Sequence, residues 1–235
     1  MRLDGREAHH ALRVLRLKEG DEALVLDGAG SEIFCEVTGE GRDWLSLAVK
    51  KRNFVPPPPC AISLFVGIPR GKIIESIIQK SVELGAQTIA PLLTERVVTR
   101  LDGESAAQKR EQWQQVAIEA MKQCGAPRLP QIETPATVEK FLAGKERPEL
   151  QLVGSLQKER RHPRDFFRGD EKTGGHPPRS AAVWIGPEGD FSPGELSAIQ
   201  NAGAQPISLG RLVLRVETAA IYCLSILNYE FNSTE

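Results

Sequence analysis

The sequence predicts an α/β protein with a parallel sheet, preceded by a small unit rich in strands. Short apolar runs separated by turn residues fill residues 1–55, a pattern typical of an all-β unit. Four consecutive prolines, Pro56–Pro59, then interrupt the pattern, because proline can continue neither a helix nor a central strand. Beyond them, fully apolar runs alternate with helical patterns, which indicates a parallel sheet covered on both faces.

The N-terminal unit, residues 1–55, begins with the short basic helical stretch HHALRVLRL. Three apolar runs follow it, EALVLDG, SEIFCEV and WLSLAVKK, and turn residues separate them. These runs predict a small barrel or sandwich. The four prolines form a stiff extended linker, so we assign residues 56–235 to a second domain.

In the second domain we expect strands at AISLFVGI, TIAPLL, LQLVG, AAVWIG and PISLG. A helix between the first two strands should end at Gly85, and a longer helix that buries Trp113 should end at Gly125. The last helix should begin near Arg215 or Val216. Ligands bind at the carboxyl ends of the strands in such sheets, and the last three of these runs end in glycine.

Composition narrows the class of protein. The net charge is −1, so any anionic partner must be held by local basic patches. Four scattered cysteines without a C-x-x-C pair argue against a zinc site or a disulfide framework and fit a reducing cytoplasm. No apolar run is long enough for a membrane span. The polar segment 157–179 is expected to be a flexible surface loop.

The stretch WIGPEGDFSPGE places two glycines, a proline and two carboxylates directly after an apolar strand. Ser192, Pro193 and Glu195 fit the N-cap, first and third positions of a helix, with a capping box. The cap does not account for the glycines or for Glu188. They fit either a tight strand-to-helix turn or a loop whose backbone wraps a small ligand. No Lys-Ser/Thr pair follows, so this is not a phosphate loop.

A second motif, SLGRLVLRVETAA, joins a strand to the last helix. Glu217 lies in the first turn of that helix, where a carboxylate suits the helix dipole, so capping alone could explain it. Arg215 stands among apolar neighbours at the junction. Its guanidinium either pairs with Glu217 or reaches into the crevice at the sheet edge.

Taken together, five motifs resemble the RsmE family: IGPEGDFS..E, SLG..VLRVETAA, HHALRVLRLKEGD, QKSVELGAQTIAPLLTERVV and WQQVAIEAMKQCG....LP. These SPOUT-superfamily methyltransferases methylate N3 of a uridine in 16S ribosomal RNA with S-adenosylmethionine. The resemblance covers nearly the whole chain in order. It implies a trefoil-knotted α/β domain, although knots are rare among folds. It also implies a small N-terminal PUA-like β-barrel that binds RNA, and a homodimer with the cofactor near the subunit interface.

The resemblance also assigns residues to the site. Three loops should bind the cofactor, through Val153, Gly154, Ile185, Gly186, Pro187, Glu188, Gly189, Leu209, Gly210, Leu214, Arg215 and Thr218. Methylation needs the N3 proton removed and negative charge on the ring stabilised. We give Arg215 the second role, and Glu188, Glu217 or water the first. Phosphate contacts are expected from Arg2, Arg6, His10, Arg13, Arg16 and Arg96, although each could be an ordinary surface side chain. No metal is needed.

Three features depart from the family pattern. Few residues precede His9, which leaves little room for a first strand. Asp190 stands where the family usually has a third glycine, and Leu212 stands where many members have arginine. Two other functions therefore stay open: a SPOUT methyltransferase with another RNA target, and an RNA-binding assembly factor without catalysis.

Overall fold

The computed structural model describes residues 1–96, 102–144, 147–157, 159–167 and 176–233. The chain divides into two compact units, Met1–Pro57 and Pro58–Glu235. The division falls inside the proline run, two residues beyond the boundary expected from the sequence. Each unit has a hydrophobic core of its own.

The first unit is built on a four-stranded antiparallel sheet with the strand order β1-β4-β3-β2. The strands are β1 (Arg2–Asp4), β2 (Glu22–Leu26), β3 (Ser31–Glu40) and β4 (Trp44–Phe54). Two register shifts bend β3 against β4, because a bulge increases the local twist. The sheet forms a curled half-barrel, with β1 and β2 at its edges. The few residues before His9 thus hold a three-residue strand.

The predicted basic helical stretch is confirmed, but it has two parts. Helix α1 (Gly5–His9) continues into a π-helical turn, His10–Val14. Ala8 and Ala11 are buried, and Ala11 packs in the core of the half-barrel with inward side chains of β3 and β4. The arginines on this segment are largely exposed. Arg16 ends it with a positive φ of 59°, which is uncommon for a residue with a Cβ.

The second unit contains the predicted parallel sheet, with the strand order β10-β8-β9-β5-β6-β7 and parallel pairing throughout. The strands are β5 (Ala61–Gly67), β6 (Thr88–Leu92), β7 (Gln131–Ile132), β8 (Leu150–Gly154), β9 (Ser180–Ile185) and β10 (Gln205–Ile207). The two-residue β7 was not expected. The strand order is compatible with a trefoil knot, which stays a prediction.

Among the described residues, five α-helices lie between or after these strands: α2 (Ile73–Glu83), α3 (Gly103–Cys124), α4 (Val138–Leu142), α5 (Pro193–Asn201) and α6 (Val216–Asn232). The predicted end of α3 is confirmed, because Gly125 takes the left-handed cap conformation with φ 73°, as glycine does at helix ends. The start of α6 at Val216 is also as expected. Within the described ranges, none of the helices has the length and apolarity needed to span a membrane.

The sheet order determines where the site forms. Strands β10, β8 and β9 are neighbours although they are not consecutive in the chain. Because all three run parallel, the loops that follow them leave the sheet at the same edge. Strand β10 ends at Ile207, three residues before Gly210, so the expectation that it ends in glycine is wrong. Ser208–Gly210 belong to the loop.

Candidate active site

The loops after β8, β9 and β10 enclose a cavity of about 270 Å³ at the carboxyl edge of the sheet. Its walls are largely apolar, with a few charged side chains between them. The cavity brings together most of the residues predicted to bind a cofactor: Gly154, Ile185, Gly186, Pro187, Glu188, Leu209, Gly210, Leu214 and Arg215. Three separate stretches of the chain therefore meet where the sequence motifs predicted.

Four predicted site residues do not line the cavity. Val153 lies in strand β8 and packs in the core against Trp184. Gly189 is not part of the lining, although its neighbours Glu188 and Asp190 are. Glu217 and Thr218 lie in the first turn of α6 but are directed elsewhere, because this helix turns Val216 and Ala219 toward the cavity. Periodicity of the helix could have shown this, since residues three apart share a face.

Close packing of the β9 loop accounts for Gly186 and for Gly67, which lies at the end of β5. A Cβ on Gly186 would lie 2.9 Å from the backbone nitrogen of Phe191. A Cβ on Gly67, at the end of β5, would lie 2.5 Å from Cδ of Pro187. The backbone N–H of Asp190 donates to the Pro187 carbonyl at 2.8 Å and closes a tight turn. Backbone therefore approaches backbone too closely for a larger residue at either glycine.

Asp190 occupies the left-handed region with φ 59°. Aspartate is one of the few residues that visit this region routinely, because its short side chain can bond locally. Its Oδ1 accepts a hydrogen bond from the Phe191 N–H at 2.8 Å. The aspartate thus adopts a left-handed backbone at the position where the family usually has glycine, and it adds a carboxylate to the cavity wall.

Two neighbouring loops brace the β9 loop. The Glu188 carboxylate accepts a hydrogen bond from the Arg70 N–H at 3.0 Å, in the loop after β5. The Arg96 guanidinium, after β6, donates to the Gly189 carbonyl. Arg96 was predicted to bind RNA, and the structure gives it a contact within the protein. Glu188 was predicted from its motif, whereas the role of its partner loop was not.

The predicted capping box at the start of α5 is confirmed, and it does more than cap. The Ser192 side chain accepts from the Glu195 N–H, and a Glu195 oxygen accepts from the Ser192 N–H at 2.8 Å. Glu195 is 3% exposed, and its other oxygen accepts from the Glu95 N–H at 2.9 Å. One buried carboxylate therefore joins the helix start to the loop after β6.

Arg215 is the N-cap residue of α6, with extended backbone. Its side chain lines the cavity and is largely exposed. Within the described part of the chain, its guanidinium forms no ion pair with Glu217 or with any other carboxylate. Of the two alternatives that the sequence left open, the structure has the arginine at the crevice.

Sequence reasoning missed Arg160. It lines the cavity from the segment after β8, and its Nη1 donates to the Ser155 carbonyl at 3.1 Å. Part of the predicted flexible loop is thus ordered: Arg161 forms a parallel bridge with Ile207 of β10, and a short 3₁₀ helix spans Pro163–Phe166. Residues 158 and 168–175 of that predicted loop lie outside the described residues. A strand bridge of one residue leaves no periodic signal in a sequence.

The predicted RNA contacts in the first unit differ in their surroundings. Arg2 donates to Asp4 at 2.9 Å and lies over the Trp44 ring at 5.0 Å, so its guanidinium is already engaged. Arg13 and Arg16 are exposed, whereas His10 is half-buried. Arg6 is also exposed on α1.

Thiols and possible metal ligands were the other reactive groups to consider among the described residues. Burial raises the pKa of the Cys223 thiol to about 12 and the pKa of the Cys60 thiol to about 11, so both thiols are protonated near neutral pH. No cluster of His, Cys, Asp and Glu side chains suited to a metal ion occurs among the residues that the structure describes.

Comparison with known proteins identifies the family. Residues 56–228 match the model of an RNA methyltransferase domain, and residues 3–49 match that of an RNA methyltransferase PUA domain. The chain is 32% identical to ribosomal RNA small subunit methyltransferase E of Synechocystis, over 94% of this chain and 70% of that protein. The chain belongs to the ribosomal RNA small subunit methyltransferase E family. This bears out the RsmE resemblance.

A further relative and two solved structures are similar to this chain over most of its length. The methyltransferase E of Bacillus subtilis is 29% identical over 97% of this chain and 89% of its own length. A Legionella pneumophila protein described as a methyltransferase, solved with bound S-adenosylmethionine, superposes with a TM-score of 0.87 at 30% identity, covering 100% of this chain and 93% of that one. The Neisseria gonorrhoeae methyltransferase E, solved with S-adenosylmethionine, gives 0.83 at 26%, covering 97% and 90%.

Proposed function

We propose that this protein methylates N3 of a uridine in 16S ribosomal RNA of the small ribosomal subunit, with S-adenosylmethionine as methyl donor. The observation that carries the proposal is the cavity formed by the loops after β8, β9 and β10, in a member of the methyltransferase E family. The PUA domain match supplies the second element, a module for RNA.

The cavity fits this cofactor chemically. Apolar side chains such as Leu156, Ile185 and Leu209 line it and suit the faces of an adenine ring. Glycine at position 154 leaves room between the loops, since a Cβ there would lie 3.1 Å from Cδ1 of Ile185 and 3.7 Å from Cδ1 of Leu209. Carboxylates and guanidinium groups stand between these apolar residues and suit the charged methionine end.

The bound cofactor supplies an electrophilic methyl group, and the protein must position the base and handle its charge. The Arg215 guanidinium lies at the cavity with its donors uncommitted among the described residues. It therefore suits the negative charge that develops on a deprotonated uracil ring. Glu188 lines the cavity and Glu217 does not, so we assign proton removal or base orientation to Glu188. Water remains the alternative acceptor.

Exposed basic side chains of the first unit support RNA binding. Arg6, Arg13 and Arg16 lie on α1 and the π-helical turn or directly after it, and they face solvent, where they can neutralise phosphates. The imidazole ring of His10 would stack on an unpaired base. The target uridine must be single-stranded or flipped out, because N3 takes part in base pairing.

We also propose that the protein is a cytoplasmic homodimer. Apolar side chains at the C-terminal end support the dimer: Leu212 is 80% exposed and Tyr229 is 76% exposed. Leu212 also lines the cavity, and exposed apolar side chains that form a patch mark interaction sites. Light scattering coupled to size-exclusion chromatography tests the dimer, and a monomeric mass at micromolar concentration would rule it out.

The decisive experiment is methyl transfer from radiolabelled S-adenosylmethionine to small ribosomal subunits from cells that lack this gene. Label at N3 of a single 16S uridine is the expected result. Label at another position, or on transfer RNA or large-subunit RNA instead, would replace the proposed target. Absence of label together with absence of cofactor binding would favour the assembly factor without catalysis.

A further inference from the structure

We propose that Arg160 binds the α-carboxylate of the methionine end of S-adenosylmethionine and so recognises the amino-acid part of the cofactor. The inference rests on the proposed function, and it adds a residue that the family motifs do not contain. Its basis is a guanidinium fixed at the cavity wall without an anionic partner among the described residues.

The backbone beside Arg160 is held to the edge of the sheet. The Arg161 N–H donates to the Pro206 carbonyl at 3.1 Å, and the Arg161 carbonyl accepts from the Ser208 N–H at 2.9 Å. The segment therefore runs beside β10 and is joined to it by a parallel bridge at Arg161. Successive side chains of an extended segment point in opposite directions, and the two arginines do so. Arg161 lies over the Phe166 ring at 4.7 Å and pairs with Asp165 at 3.4 Å.

Arg160 points the other way, into the cavity wall. One of its donors bonds the Ser155 carbonyl at 3.1 Å, which fixes the planar group while the other donors stay available. The side chain is half-buried. A partly desolvated guanidinium is stabilised by an anion with matching geometry, and a carboxylate matches it with two parallel hydrogen bonds.

Each of the protein's own carboxylates at the cavity accepts a backbone hydrogen bond. Glu188 accepts from the Arg70 N–H, and Asp190 accepts from the Phe191 N–H. No ion pair joins either of them to Arg160 in the described part of the chain. A ligand carboxylate would supply the counter-charge that the described residues do not. The α-carboxylate is the only anionic group of S-adenosylmethionine.

An RNA phosphate is the competing source of negative charge at this position. Two ligands that differ only in the carboxylate distinguish cofactor binding from phosphate binding by Arg160. S-adenosylhomocysteine retains it, and the decarboxylated analogue of S-adenosylhomocysteine lacks it but keeps the adenosine, the thioether and the amine. A residue that binds the carboxylate changes the affinity for the first ligand alone.

The experiment is calorimetric titration of both ligands into the full-length protein and its variants. The wild type should bind S-adenosylhomocysteine about 10 to 100 times more tightly than the analogue, as expected for a charge-assisted contact. Arg160→Gln should lose that ratio by weakening the first ligand alone, and Arg160→Lys should keep part of it. Arg164→Gln is the matched control, since Arg164 is exposed on the same segment and does not line the cavity.

Several results would overturn the proposal. Equal affinity of the wild-type protein for the two ligands would contradict the proposal. An Arg160→Gln protein that keeps the wild-type affinity ratio would contradict it as well. Loss of RNA affinity in Arg160→Gln with unchanged S-adenosylhomocysteine binding would assign the guanidinium to phosphate. A wild-type protein that binds neither ligand would instead refute the proposed methyltransferase function.

Discussion

Two regions bring an arginine to the same cavity, and they do it in opposite ways. Local structure positions Arg215. The loop 209–215 follows strand β10, contains Gly210 with a positive φ, and leads directly into helix α6. The segment 159–167 places Arg160 by distant contacts, since hydrogen bonds to β10 hold its backbone. The loop is evident in its sequence motif, whereas the segment has the composition of an ordinary polar loop.

The difference teaches how far local sequence carries functional meaning. A side chain set by a cap or a turn can be located from its immediate neighbours in sequence. A side chain positioned by a bridge to a remote strand cannot be located in this way, because the sequence of the segment does not indicate which strand it pairs with. The following changes test whether the two arginines also differ in what they do.

The largest effect is expected from Arg215→Lys. Lysine keeps the charge but loses the planar fork of donors, so kcat should fall about 100-fold, the usual loss when one charge-stabilising donor is removed. Steady-state methylation of small subunits at varied S-adenosylmethionine measures it. Arg160→Gln should instead act mainly on the KM for the cofactor. Wild-type kcat in Arg215→Lys would remove this residue from the mechanism.

The next effect concerns the backbone of the first region. Gly210 has a φ of 112°, so Gly210→Ala should lower the free energy of unfolding by about 1–3 kcal/mol. Urea unfolding measures it. Gly194→Ala is the control, because its φ is not positive and a Cβ there would meet its nearest neighbour at 3.9 Å. Equal loss in both variants would show that strain at Gly210 is not the cause.

A smaller effect tests the anchoring of the segment 159–167. Phe166→Ala removes the ring beneath the Arg161 guanidinium, and a cation–π contact at such a site contributes about 0.5–1 kcal/mol. We expect a slightly lower midpoint of urea unfolding and weaker S-adenosylhomocysteine binding, because the segment that carries Arg160 loosens. Arg164→Ala should leave both quantities unchanged. Unaltered binding in Phe166→Ala would mean that the β10 contacts alone hold Arg160.

The smallest effect is expected from Asp190→Gly, in the loop after β9. Asp190→Gly relieves the left-handed backbone and loses one local hydrogen bond, so the two terms should cancel to within about 0.5 kcal/mol. Asp190→Ala loses the bond and keeps the left-handed backbone, so it should cost about 0.5–1.5 kcal/mol. Thermal unfolding of the three proteins compares them. A strong destabilisation by glycine would show that the carboxylate has a larger structural role.

Much of the fold follows from local patterns. The apolar runs became the buried strands, Gly125 ends α3, and Ser192 with Glu195 caps α5. Each of these depends on residues within a few positions of one another. The two-residue strand β7 and the short helix α4 were not predicted, because elements of that length carry no period.

The site could be predicted where the residues of one sequence motif determine the local backbone conformation. The loops after β9 and β10 contain the glycines and the arginine that line the cavity. The bracing of Glu188 by the Arg70 N–H and of Gly189 by Arg96 joins residues far apart in sequence. Neither contact follows from composition or spacing. The same holds for Arg160, whose position depends on β10.

The order of the strands has a consequence for biosynthesis. Strand β5 at the centre of the sheet pairs with β9. The pairing of Ala61 with Ser180 therefore cannot form until Ser180 has been translated. Strand β8 lies between β9 and the still later β10, and the cavity also needs Val216 and Ala219 of the last helix. A nascent chain therefore has no complete ligand site until α6 leaves the ribosome. The ligand cannot guide the folding steps that precede the emergence of α6.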